Sequence, residues 1–154
     1  MKKIVTVLVL FMITAPALLA QESLREVVRD YQRKNREFTM VIPSFMFKMG
    51  LAYGDLEDDE KELLEQINKM KIVFAKNGFR NHDFQLLNEG VKNGNFNEIL
   101  TVYDKKNLAR MIIHEKNEKK SELLMLVEDG HESVMILMDL HGKPDFSKFI
   151  SLAD

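Results

Sequence analysis

The chain has 154 residues, 45% of them apolar and 30% charged, with 22 basic and 24 acidic side chains for a formal net charge of −2. That length suits one domain with a real core, and the charge balance leaves no electrostatic footprint for nucleic-acid binding. Cysteine is absent, which excludes disulfides, thiolate catalysis, Cys-ligated zinc and lipid attachment through a Cys at a cleavage point.

Residues 1–20 read as a secretory signal peptide. Lys2 and Lys3 make a basic start, Ile4 to Ile13 is apolar apart from Thr6, Pro16 breaks the run, and Ala17 to Ala20 ends in a small residue. The apolar run falls short of the roughly 20 residues of a membrane span. Cleavage after Ala20 leaves Gln21 first, with cleavage after Ala17 as the alternative. Loss of the two leader lysines leaves 20 basic against 24 acidic residues, about −4. These features predict a periplasmic or secreted protein with no stable membrane anchor and a single domain over 21–154.

"SLREVVRDYQRKN" (23–35) reads as a helix. Ser23 and Glu26 have capping-box spacing, and Leu24, Val27, Val28 and Tyr31 form one apolar stripe. Arg25, Arg29, Arg33 and Arg36 lie on the other side as a solvated face. In "FTMVIPSFMFKMGLAYG" (38–54), Phe38 to Ile42 is extended up to Pro43, and Ser44 opens a short helix to about Tyr53. Its crowd of Phe and Met fits core filling or a pliable contact surface. "DLEDDEKELLEQINKM" (55–70) is a helix with Leu63, Leu64, Ile67 and Met70 inward. Its acids suit the helix N-terminus and lack the spaced ligands of a calcium loop.

"KIVFAKNG" (71–78) switches to strand character, and "NHDFQLLNEGVKNG" (81–94) is a third helix, capped by Asn81. From there the period becomes two. Strands are predicted at 96–103, 108–115, 121–128 and 132–140, with turns at Lys105-Lys106, around Asn117-Glu118 and at Asp129-Gly130. Short even spacing means an antiparallel meander. A last helix is predicted over 145–153. The fold class is α+β: an antiparallel β-meander sheet with helices packed mainly on one face, preceded by an N-terminal helical segment.

The last hairpin carries the main candidate site. With Asp129-Gly130 central in a type I′ turn, Met125 faces Val134, Leu123 faces Ile136 and Lys120 faces Asp139. Leu123, Met125, Val127, Val134, Ile136, Met138 and Leu140 then share the core face. Leu124, Leu126, Met135 and Leu137 form an apolar patch on the second face, rimmed by Glu122, Ser133, Asp139 and His141. Leaving such a patch in water costs several kcal/mol at about 25 cal/mol per Å². Its cover is either the protein's own N-terminal helices or the loop near Phe45, or else a partner or ligand.

No catalytic constellation emerges. His131 and His141 sit far apart along the hairpin, and neither has a second His at metal-pair spacing. His141 with Asp139 is an acid–imidazole pair without a nucleophile or oxyanion site. Gly-rich phosphate loops, G-x-S-x-G and H-E-x-x-H are all missing.

The order "LLAQ", "IPSFMFKMG", "INKMKIVFAKNG" and "LARMIIHEKNEKKSELLMLVEDGHESVMILMDLHGKPDFSKFISLA" resembles the small exported proteins of Bacteroidetes-type bacteria grouped as domain of unknown function 4252. The resemblance implies an envelope role and brings no catalytic residues, and the lipid-attachment Cys of some members is missing here. The expectation is a non-enzymatic envelope protein without cofactor or metal. It binds a protein partner through Leu124, Leu126, Met135 and Leu137, or around Phe45 and Phe47. The alternative is a carrier of a small apolar ligand.

Overall fold

The second half of the chain puts apolar residues at both odd and even strand positions, so its sheet needs cover on both sides. The computed structural model describes residues 23–105 and 107–146. The signal-peptide reading of 1–20 and the last helix beyond Phe146 lie outside them. The elements run α1 (Leu24–Asn35), β1 (Phe38–Pro43), α2 (Ser44–Tyr53), α3 (Asp58–Gln66), β2 (Ile67–Phe74), a 3-10 turn (Asn81–Phe84), α4 (Gln85–Lys92), β3 (Asn97–Asp104), β4 (Asn107–Asn117), β5 (Lys120–Glu128) and β6 (Ser133–His141).

The fold is α+β, with an N-terminal helix preceding one six-stranded sheet of order β1-β2-β6-β5-β4-β3. Every neighbouring pair is antiparallel. The four predicted strands are β3 to β6, a meander whose last strand closes against β2. The 3-10 turn and α4 carry the chain from β2 to the far edge, where β3 begins.

Two expectations fail for tertiary reasons. The helix predicted over 55–70 ends at Gln66, and Ile67 and Met70 belong to β2. A helical stripe ran through them, but β2 is paired on both sides, by β1 and by β6. That pairing overrides the local periodicity. The N-terminus of α3 is closed by Glu57, whose N–H donates to Glu60 Oε2 at 2.9 Å.

The Ser23 side chain does not cap α1. A distant residue does the work instead. The Leu24 N–H donates to Glu122 Oε2 across 3.0 Å, from β5, ninety-eight residues along the chain. Glu122 is 1% exposed. Its Oε1 pairs by charge with Arg25 Nε at 3.1 Å and Lys116 Nζ at 2.7 Å, and His114 Nδ1 lies 3.5 Å from Oε2. Arg25 also grips Asp139 through Nη2 at 2.6 Å. The bond to Asp139, opposed by burial, leaves the guanidinium pKa above its ordinary value. A carboxylate at a helix N-terminus is favourable twice over, for its hydrogen bond and for the helix dipole.

Leu24, Val27, Val28 and Tyr31 are all buried, so the predicted stripe of α1 faces the sheet. It meets Leu124, Leu126, Met135 and Leu137 from the sheet, with Phe84, Leu87 and Phe96 alongside. Gly90 in α4 is required for this packing. A Cβ there would stand 2.3 Å from the ring of buried Phe96.

Two outcomes are expected in urea denaturation. Glu122→Ala leaves the Leu24 N–H without its acceptor and uncaps α1, while the exposed Arg25 and Lys116 return to water, costing about 1 to 3 kcal/mol. Gly90→Ala drives a methyl into Phe96, costing on the order of 1 to 3 kcal/mol. An unchanged midpoint in either variant would contradict the corresponding contact.

Candidate functional site

The hairpin register differs from expectation. Leu124 faces Leu137, Met125 faces Ile136, and Glu128 faces Ser133. Met125 is therefore not opposite Val134, and Lys120 stands opposite His141 rather than Asp139. The cause is the turn chemistry. The Asp129 carboxylate accepts the N–H groups of His131 at 3.0 Å and Glu132 at 2.9 Å. The Asp129 N–H in turn donates to the Glu132 carbonyl at 3.1 Å. This makes a four-residue loop with Gly130 at φ +84. The same two N–H bonds, first Glu132 and then His131, hold the Asp129 carboxyl below its ordinary pKa. The register slips by two residues, and an even slip leaves each side chain on its face.

The candidate patch on the second face is core. Leu124, Leu126 and Met135 are 0% exposed and Leu137 is 6% exposed, beneath α1 and the 3-10 turn. They cannot serve as a docking surface. The strand pattern shows that this face needs cover, but only the tertiary placement of α1 supplies it. Phe45 is exposed as that reading requires, whereas Phe47 turns inward against Leu64 and the Ile67–Leu123–Met138 cluster.

The face read as core is the less covered one. The pairings define rows of directly opposed residues that run across all six strands. The first is Phe38, Phe74, Val134, Val127, Ala109, Val102. The second is Met40, Ile72, Ile136, Met125, Met111, Leu100. Both rows are wholly apolar and none of their residues is buried. In the third row Met138, Leu123 and Ile113 are buried, in the cluster that Phe47 and Leu64 join. The helices α2 and α3 thus cover one end of this face. Met111, Met125 and Ile136 of the second row, together with Phe146, pack against that cluster and are partly buried, whereas the ends of both rows and Val127 stand open. Phe38 is 61% exposed and Val102 is 51% exposed. Helix α2 continues the surface outward with exposed Phe45, Met46 and Met49. Its one charged residue is Lys48, and a helix apolar nearly all round is one that expects burial.

A second concavity opens on the α1 side of the sheet, between the 3-10 turn and β3–β4. This cleft of about 660 Å³ is floored by Phe79 and Phe84 and walled by Arg80, Tyr103, Lys105 and Arg110. Phe79 and Phe84 meet edge to face at 5.2 Å, and buried Tyr31 backs both, stacking on Phe84 at 6.2 Å. Arg110 donates from Nε to Glu98 Oε1 at 2.8 Å and from Nη1 to Asn88 Oδ1 at 3.0 Å. Burial pushes the Glu98 carboxyl up, but the Thr101 hydroxyl and the Arg110 guanidinium together hold it below its ordinary value. Glu128 accepts the Phe79 N–H at 3.0 Å. Nothing in the strand pattern pointed to this cleft, because its lining comes from four separate segments.

The acid–imidazole pair considered for His141 does not form. Asp139 is held by Arg25, and the nearest polar partner of His141 is Asn68 Nδ2 at 3.5 Å. Among the described residues no group of three His, Asp or Glu is placed to hold a metal, and no helix is long and apolar enough to cross a membrane.

The two faces make opposite predictions for one kind of substitution. Leu124→Lys puts a charge into the packed core and should leave no cooperative unfolding transition. Val127→Lys, on the open face, should keep a midpoint within about 1 kcal/mol of the parent. Thermal melts of the two variants check this, and equal behaviour would contradict the assignment of faces.

The family described as "Domain of unknown function (DUF4252)" matches residues 31–150. No curated protein and no solved structure matches the chain.

Proposed function

The chain belongs to the DUF4252 family, and we propose that it is an exported, non-enzymatic envelope protein that docks an amphipathic helix of a protein partner on its open sheet face. One observation carries the reading: two complete apolar rows cross six strands with no buried member. Monomeric surfaces rarely leave so much contiguous apolar area in water. The N-terminal sequence, basic then apolar then small, supports export.

The dimensions favour a helix as the occupant. Five strand spacings make each row about 24 Å long, which matches some 16 residues of α-helix. The opposite face of the same sheet already seats helices, α1 among them. On the open face α2 and α3 border the vacant rows, so an incoming helix would lie against them as well as on the strands. Met40, Met111 and Met125 make the seat adaptable.

The test compares the parent with the double variant Val102→Lys/Val127→Lys. Each is crosslinked in its own cell envelope, with the crosslinked peptides sequenced. The expected result is one dominant partner, joined through a helical segment to residues of the two rows and lost in the folded variant. Equal capture by the variant would overturn the face as the site. Crosslinks only between copies of this chain would replace the partner with self-association. A small apolar molecule retained in native mass spectrometry, with no crosslinks, would favour a carrier.

A further inference from the structure

The cleft between the 3-10 turn and β3–β4 is separate from the open face, and its chemistry is different. We propose that it binds a small organic anion built on a flat apolar ring, such as an aromatic carboxylate or an aryl phosphate.

The argument starts from charge left over after internal pairing. Three cations line the cleft, Arg80, Lys105 and Arg110, with two carboxylates, Glu98 and Glu128. Both carboxylates are engaged: Glu98 by Arg110 and Thr101, and Glu128 by the Phe79 N–H. Arg80 and Lys105 form no ion pair among the described residues, so a net positive charge faces the cavity. Arg110 is fixed through Nε and Nη1, while its Nη2 has no hydrogen-bond partner among the described residues. A guanidinium held on two sides is a preorganised donor for an anion on the third. Pre-ordering of this kind lowers the entropic cost of binding.

The floor adds the requirement for a ring. Phe79, Phe84 and Tyr31 lock one another in a three-ring cluster. The floor is thus a rigid aromatic surface, and Tyr103 stands exposed at the rim. Flat apolar groups settle on such surfaces in offset or edge-to-face contact. A volume of about 660 Å³ is in the range of small-molecule sites and far larger than an inorganic ion needs.

The turn that holds Lys105 points the same way. Asp104 pairs with Asn107, so the β3–β4 connection has two residues, and Lys105 takes φ +49 within it. Such turns favour Asn or Gly at positive φ, and a lysine there is a local conformational cost of the kind that gathers at functional sites. The turn thus places Lys105 in the lining of the cleft.

The experiment is an NMR titration of the protein with phenyl phosphate, using inorganic phosphate and benzyl alcohol as the charge-only and ring-only probes. Phenyl phosphate should shift signals of Phe79, Phe84, Tyr103 and Arg110, and bind about tenfold or more tighter than either fragment. Arg110→Gln and the exposed Arg80→Ala should each weaken it, and Val127→Lys on the opposite face should not. Arg80→Ala keeps the test sound if loss of the Glu98 pair disturbs folding in Arg110→Gln. Inorganic phosphate binding as tightly would show that no ring is recognised, and benzyl alcohol binding as tightly would show that no charge is. Either result, or no cleft shifts with phenyl phosphate, overturns the proposal.

Discussion

Every central strand of this sheet sends apolar side chains to both sides, and that two-sidedness governs the rest of the structure. An antiparallel sheet with one wet face needs a single layer of cover. This one needs two, and the described chain supplies one and a fraction. Helix α1, the 3-10 turn and α4 close the first face down to fully buried leucines. On the second face α2 and α3, with Phe146, bury the row at the His141 end of β6 and leave the next row only partly buried. Among the described residues, more helical cover lies on the first side than on the second.

The closed face in turn rests on one buried carboxylate. An amphipathic helix of twelve residues is marginal alone in water, so α1 must be held by tertiary contacts. Its apolar stripe provides most of the attraction, which has no direction. Glu122 provides the direction: it accepts the first N–H of the helix and draws in Arg25, which reaches on to Asp139 in β6. The helix start is thereby fastened to the two central strands. A buried ion pair of this kind adds little net stability over an apolar replacement; its contribution here is the fixed position of the helix start.

The two candidate sites differ because their surroundings do. On the open face the side chains are apolar and adaptable, and nothing charged interrupts the rows, which suits a large partner with a continuous stripe. The cleft is small, has a rigid aromatic floor and retains positive charge after its internal pairs are counted, which suits a small ligand. They lie on opposite faces of one sheet, so occupation of one does not obstruct the other.

Much of the architecture was legible because it is written locally. The strands of the meander follow from period-two alternation between polar turns, and α1 follows from Leu24, Val27, Val28 and Tyr31. Even the wrong hairpin register kept its faces, since the slip was two residues and the side-chain period is two. Where two local patterns overlapped, at Ile67 and Met70, pairing with β1 and β6 decided for strand. The sequence by itself determined that both sheet faces would be apolar, because alternation specifies what each face carries. Only the tertiary structure decided which face the helices would close. That choice depends on contacts between residues far apart in the chain, Leu24 with Glu122 above all, and no periodicity within a single segment encodes it.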